Sequence, residues 1–306
     1  MNSLSRRSFL ELSAKLCAVM GLGAGAIPRL AEAAEELAAG NAPVLWLQGQ
    51  SCSGCSISLL DAEAISPVQL LTHYISLTFH QTLSATTGYQ AVDTVNKIIA
   101  AGGYILVVEG AVPAGMPKAC VFGGEPFGEQ LLRAAKAARA VVAVGSCATF
   151  GGIPGADNNP TGAISAAQYL KNQGVSTPAI LIPGCPCHPD WLLGTLAHVL
   201  KLGIPPLDAL GRPKAFFSRL MHDQCPRFPD YERERFAKTF GEEGCLFKLG
   251  CLGPITHTDC ALRQWNSGVN SCIRAGAPCI GCGGEQFAAK ASLPFITKKR
   301  AAQLKG

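Results

Sequence analysis

Charge is scarce in this chain: only 15% of its 306 residues are Asp, Glu, Lys or Arg, against 48% hydrophobic residues. That composition excludes a disordered or fibrous protein and allows one or two globular domains. A chain so poor in charge either belongs in a membrane or hides much of its surface against a partner. Beyond residue 33 no run approaches the ~20 uninterrupted apolar residues of a spanning helix, because Pro, Gly or a charge breaks every candidate, so the partner reading is favoured. A broad basic face is also missing. The net charge of +5 sits at the ends, where Arg6, Arg7, Lys15 and Arg29 outweigh Glu11 and Glu32, and Lys298, Lys299, Arg300 and Lys305 crowd the tail. The body between is close to neutral, which argues against nucleic acid, and the basic tail reads as a solvated end. There is no Ser-His-Asp order, no phosphate loop and no obvious pair of carboxylates.

What the chain has in excess is cysteine, 14 residues of it. The N-terminus bears on how those thiols are used. Ser5-Arg6-Arg7-Ser8-Phe9-Leu10 is a twin-arginine pair followed by a weakly apolar stretch to Ile27, and Ala31-Glu32-Ala33 is a small-x-small cleavage site. Residues 1–33 thus resemble a Tat signal, which implies export to the periplasm of a protein already folded with its cofactors. Cysteines loaded with metal in the cytoplasm would stay loaded, so an exported, Cys-rich chain need not be a disulfide protein. Gly21-Leu22-Gly23-Ala24-Gly25 lies inside this segment and carries no weight as a nucleotide loop.

From about residue 41 short apolar runs alternate with helical stretches. Strands are expected at Val44 to Leu47, Ile75 to Phe79, Ile105 to Val108, Val141 to Val144 and Ile180 to Ile182. Helices are expected at Ser56 to Ile65, Tyr89 to Ala101, Pro126 to Ala138, Ala163 to Asn172 and Asp190 to Leu202. The alternation predicts an α/β fold with a parallel sheet covered on both faces. Past Ile204-Pro205-Pro206 the pattern dissolves into Gly, Pro and Cys. We therefore divide the chain into residues 41–206 and an irregular part, 207–306, that needs metal or a partner to fold.

The cysteines sort by position. Cys52 and Cys55 follow the first strand, Cys147 the fourth and Cys185 the fifth. In a parallel sheet these loops share the carboxyl edge, so four thiolates separated by more than a hundred positions can converge. Such a set fits a cubane iron-sulfur cluster or a structural zinc. His222, Cys225, Cys245 and Cys251 form a one-His, three-Cys set, for which zinc or an iron-sulfur cluster with one imidazole are both open. Cys260, Cys272, Cys279 and Cys282 are four more candidate thiolates. Cys17 falls in the signal, leaving only Cys120 and Cys187 over. Three such sites without catalytic apparatus suggest a conduit for electrons.

The mature chain resembles, along its length, the small subunit of periplasmic nickel-iron hydrogenases. The resemblance is carried by Trp46-Leu47-Gln48-Gly49-Gln50-Ser51-Cys52-Ser53-Gly54-Cys55, Val108-Glu109-Gly110, Ala143-Val144-Gly145-Ser146-Cys147-Ala148-Thr149, Ile182-Pro183-Gly184-Cys185-Pro186 and Ala277-Pro278-Cys279-Ile280-Gly281-Cys282. It implies a flavodoxin-like first domain with a proximal 4Fe-4S cluster on Cys52, Cys55, Cys147 and Cys185. It also implies a distal 4Fe-4S cluster on His222, Cys225, Cys245 and Cys251, and a medial cluster on Cys260, Cys279 and Cys282. Many members of the family carry a Pro where Cys272 stands and hold a medial 3Fe-4S cluster. Cys272 supplies a fourth thiolate, so a medial 4Fe-4S cluster is expected, as in the nickel-iron-selenium branch. Gly54 occupies a position that oxygen-tolerant members fill with Cys, so a standard proximal cubane and oxygen sensitivity are expected.

On this resemblance the hydrogen chemistry belongs to a separate large subunit, and this chain carries electrons to or from a c-type cytochrome or a membrane quinone module. The membrane-bound members' C-terminal anchor is not seen, so a soluble or peripherally attached protein is expected. Glu109 is expected either beside the proximal cluster and subunit interface or as a solvated or hydrogen-bonded strand-end carboxylate. Cys120 and Cys187 read as small core residues, and His73, His80, His188, His198 and His257 as ordinary. Two alternatives stand: the iron-sulfur subunit of a quinone-reducing complex, and a zinc- or disulfide-stapled secreted binding protein.

Overall fold

The computed structural model describes residues 43–62, 76–156 and 159–288, together with isolated positions between 11 and 23. The twin-arginine motif, the cleavage site, His73 and the basic tail lie outside the described residues.

Five strands make one parallel sheet: β1 (Pro43–Gln48), β2 (Ser76–His80), β3 (Ile105–Glu109), β4 (Ala140–Val144) and β5 (Ala179–Ile182). Their spatial order is β2-β1-β3-β4-β5, the flavodoxin-like doubly wound order, which places a crevice at the carboxyl ends of β1 and β3. The strands read as nearly continuous Val, Ile, Leu and Ala because both faces of the sheet are covered. On one face Val44, Trp46, Ile105, Val107, Val142 and Ile180 pack against Leu59, Leu192 and Leu196. On the other, Leu45, Leu47, Leu106, Val108 and Val141 pack against Val95, Leu131 and Leu170. The first face is closed by helices α1 (Gly54–Leu60) and α6 (Pro189–Leu202). The second is closed by α2 (Gly88–Ala101), α3 (Phe127–Ala137) and α5 (Ala166–Asn172).

Register places the site. Gln48 pairs with Glu109, Glu109 with Val144, and Val144 with Ile182, so four strands end on one line. Cys52 and Cys55 follow the first of these ends, Glu109 closes the second, and Cys147 and Cys185 each lie three residues past theirs. The expected strands and helices are present with shifted ends. The first helix is shorter than expected, spanning Gly54–Leu60. Residues 163–164 pair with Val112–Pro113 as a short antiparallel ribbon, so the helix expected from Ala163 begins only at Ala166. One further helix, α4 (Gly145–Phe150), carries Cys147 in its middle, where a loop was expected.

Past α6 no helix among the described residues exceeds five residues. The chain there is held by isolated bridges such as Leu220 with His257 and Phe236 with Cys245, and by a small core of Met221, Ala237, Leu246, Ala261, Ile273 and Cys279. Polar contacts fasten it to the sheet domain. Trp191 Nε1 donates to Asp259 (2.7 Å), and Arg263 bridges Asp190 and Asp259. Within the irregular part, Arg212 Nη1 donates to the Gly283 carbonyl (2.9 Å).

Candidate metal centres

The carboxyl edge of the sheet brings the first set together. Cys52 and Cys55 flank the start of α1, where Ser53 adopts a left-handed φ of 61°; Cys55 is buried and Cys52 exposed. Cys147 and Cys185 stand close enough to Cys55 and Cys52 to repel their charge, and Cys185 feels Cys147 as well. Bare backbone walls the thiols. A Cβ on Gly145 would come within 2.5 Å of Cys55 Sγ, and one on Gly152 within 2.8 Å of Cys147 Sγ. Both glycines also hold positive φ, 81° and 52°. Gly145→Ala is therefore expected to cost about 1 kcal/mol in backbone strain alone, as read by a lowered melting temperature.

Glu109 fixes the turn. The carboxylate is 2% exposed and accepts from Trp46 Nε1 (3.2 Å), Gln48 Nε2 (3.1 Å), Ser51 Oγ (3.0 Å), Ser56 Oγ (2.5 Å) and the Cys55 N–H (3.1 Å). Ser56 Oγ also contacts His80 Nε2 at 3.0 Å, while His80 Nδ1 accepts from the Thr82 N–H, so the ring proton belongs on Nε2. Burial pushes His80 down to about 4, more than the neighbouring Glu109 charge raises it. His80 is thus a neutral, fully buried member of the network. Sequence reasoning missed it, along with Gln48, Ser51 and Ser56. Glu109 is thus a hydrogen-bonded strand-end carboxylate, buried beside Cys55.

The third set, on Cys260, Cys272, Cys279 and Cys282, lines a cavity of about 270 Å³ together with Cys185, Met221 and Trp265. Cys260 lies within reach of the Cys282 and Cys279 charges, and Cys279 and Cys282 both feel Cys272. The remaining set closes around a smaller pocket lined by His222, Cys225, Cys245 and Cys251 with Met221, Leu246 and Ile273. Phe228 and Tyr231 pack edge-on to the His222 ring, at 5.0 and 4.6 Å between centroids. Among the described residues no three His, Cys, Asp or Glu side chains converge tightly enough to grip one ion.

Two features suit these thiols to ligation. Backbone N–H groups point at the sulfurs: Arg227 at Cys225 (3.4 Å), Gly253 at Cys251 (3.5 Å), Ile153 at Cys147, Phe247 at Cys245 and Cys185 at Cys282. Burial meanwhile pushes Cys147, Cys185 and Cys282 each up to about 12, so a thiolate is favourable there only once a cation compensates it. The sets also adjoin one another. Cys185 of the first touches Cys282 of the third, whereas Cys272 and Cys279 of the third feel Cys251 of the second. Of the two leftover cysteines, Cys187 is fully buried, and Cys120 is only half-buried at the edge of the core rather than inside it.

Comparison with known proteins gives a consistent picture. A family model for the C-terminal part of the NiFe/NiFeSe hydrogenase small subunit matches residues 217–295, and one for the 20 Kd subunit of NADH ubiquinone oxidoreductase matches residues 52–199. The periplasmic [NiFeSe] hydrogenase small subunit of Desulfomicrobium baculatum is 40% identical over 92% of this chain and 95% of its own length. The hydrogenase-2 small chain of Escherichia coli is 38% identical over 93% of this chain and 77% of its own. Among solved structures, a reduced, active Ni-Fe-Se hydrogenase from Desulfomicrobium baculatum superposes with a TM-score of 0.78 at 40% identity, over 80% of this chain and 95% of that one. An actinobacterial-type NiFe-hydrogenase from Ralstonia eutropha superposes with a TM-score of 0.75 at 32% identity, over 83% and 81%.

Proposed function

This chain belongs to the family of nickel-iron and nickel-iron-selenium hydrogenase small subunits, and we propose that eleven of its cysteines and one of its histidines hold three iron-sulfur clusters in series. It is the electron-transfer subunit of a heterodimeric hydrogenase, whose active site lies on the large subunit. The quinone-reducing alternative accounts for the sheet domain, where its family model matches, but not for the hydrogenase-specific match over residues 217–295.

The observation that carries the proposal is the unbroken run of thiols. Cys52, Cys55, Cys147 and Cys185 hold a proximal 4Fe-4S cluster. Cys260, Cys272, Cys279 and Cys282 hold a medial one, reached from Cys185 through Cys282. His222, Cys225, Cys245 and Cys251 hold a distal one, reached through Cys279 and Cys251. The donor set fits: eleven thiols and an imidazole, glycine walls that leave room at the sulfurs, and N–H groups aimed at them. Bound clusters supply one-electron transfer, at potentials set by ligand charge, hydrogen bonding and burial. The chain's own residues do the rest. Glu109 anchors the Cys55 turn, the N–H groups temper the sulfurs' negative charge, and His222 makes its site one charge less negative than a fourth thiolate would.

The edge nearest Cys52 exposes Ile57 (63%), Leu60 and Leu83 on and beside α1, and we assign this face to the large subunit. The far end, around His222 and the Tyr231–Phe247 pair, faces a c-type cytochrome or a membrane quinone module. Tat export to the periplasm is supported by the twin-arginine sequence. No helix among the described residues is long and apolar enough to cross a membrane.

Cys272 gives a specific test of the medial site, because its thiol lines the shared cavity. Oxidised wild-type enzyme is expected to show no stoichiometric 3Fe-4S signal by EPR, whereas Cys272→Pro is expected to show one per chain. A stoichiometric 3Fe-4S signal in the wild type would overturn the four-thiolate assignment. For the function as a whole, purification is expected to bring down a larger, nickel-containing chain in equal amount. Isolation as a stable, iron-free monomer would contradict it.

A further inference from the structure

We propose that Cys187 is a potential-setting residue of the proximal site, its thiol and its backbone N–H both donating to the Cys55 sulfur and holding that cluster at a higher reduction potential than its four thiolates alone would give. The inference rests on the assignment of Cys55 as a ligand and extends it to a fifth thiol that ligation leaves over. Cys187 follows Cys185 by two residues but turns inward, is fully buried, and packs beneath α1 with Leu59, Trp191 and Leu192. Its N–H lies 3.5 Å from Cys55 Sγ, and its thiol stands close enough to push the Cys55 thiol up.

Two contacts hold it there. Ser58 Oγ, on α1 one turn past Cys55, donates to the Cys187 carbonyl at 2.7 Å. Gly184, at φ 143°, lets the loop fold on itself; a Cβ there would meet the Pro186 carbonyl oxygen at 2.7 Å and Cys187 Cα at 2.8 Å. The helix that carries Cys55 and the loop that carries Cys185 are thereby tied across the core through this one residue.

The chemistry gives the sign. As a ligand Cys55 is a thiolate and can only accept, so Cys187 is the S–H donor of the pair. Reduction adds negative charge that spreads onto the ligand sulfurs, and donors aimed at a sulfur stabilise the reduced form more than the oxidised one. Removing the S–H should therefore shift the proximal potential downward while leaving the medial and distal clusters where they are.

The test is an EPR-monitored redox titration of the purified heterodimer carrying Cys187→Val, Cys187→Ala or Cys187→Ser, with iron counted in each. Val fills the space without a donor and guards against a cavity that would unfold the Ala variant, and Ser restores a donor. The expected result is a proximal midpoint moved to more negative potential in Val and Ala, with a smaller shift in Ser. A midpoint unchanged in Val, with only a lowered melting temperature, would show that Cys187 merely packs the core and would overturn the proposal. Failure of the underlying assignment looks different: Cys55→Ser would then keep the full proximal signal.

Discussion

Replacing Cys185 by Ala is expected to cut hydrogen-driven reduction of an external dye by more than ~100-fold, beyond what changes around a metal's ligands usually cost. Cys185 is singular among the twelve ligand candidates. It completes the proximal set with Cys147, Cys55 and Cys52, and it also lines the medial cavity and contacts Cys282. On the proposed ligation its loss removes a ligand from the first site and the bridge to the next. Iron should fall by about four atoms per chain, the content of one cubane. Exchange of hydrogen isotopes with water moves no net electrons and belongs to the large subunit, so it should survive. Dye reduction at the wild-type rate in this variant would break the serial account.

The second large effect is on stability. Glu109→Leu leaves the Trp46, Gln48, Ser51, Ser56 and Cys55 donors facing a side chain that accepts nothing, in a place only 2% exposed. Breaking a buried charge network from one side costs about 3–5 kcal/mol, which for a chain of this size lowers the melting temperature by roughly 10 °C. Glu109→Gln keeps one acceptor oxygen and most of the shape, and should lose less than half as much. The Cys55 turn is pinned by the same carboxylate, so the Leu variant should also lose proximal iron. Equal melting curves for Leu and wild type would show that the network contributes nothing.

Much of this arrangement can be read from the chain before folding. The alternation of Val-rich runs with helical stretches gives the parallel sheet, and the positions of Cys52, Cys55, Cys147 and Cys185 just past strand ends give their convergence. The C-terminal sets follow from spacing and resemblance, because no regular element organises them. Helix α4 escapes sequence reading because it has six residues and no amphipathic repeat; it forms where Gly145 leaves the strand at positive φ. The Glu109 network escapes for another reason. Gln48, Ser51, Ser56 and His80 are individually common polar residues, and only the pairing of β1 with β2 and β3 makes them neighbours. Cys187 likewise looks like a spare core residue until the 184–187 turn sets it against Cys55. Cys120, expected as a small buried residue, is only partly buried and packs against the second core cluster just after a turn of 3-10 helix.

Three clusters in a row on one chain fix the iron and acid-labile sulfide per chain in the intact heterodimer, once the single iron of the nickel-iron site is subtracted. Three cubanes predict about twelve of each. About four of each, or zinc in place of iron at any of the three thiol sets, would contradict the three-cluster assignment.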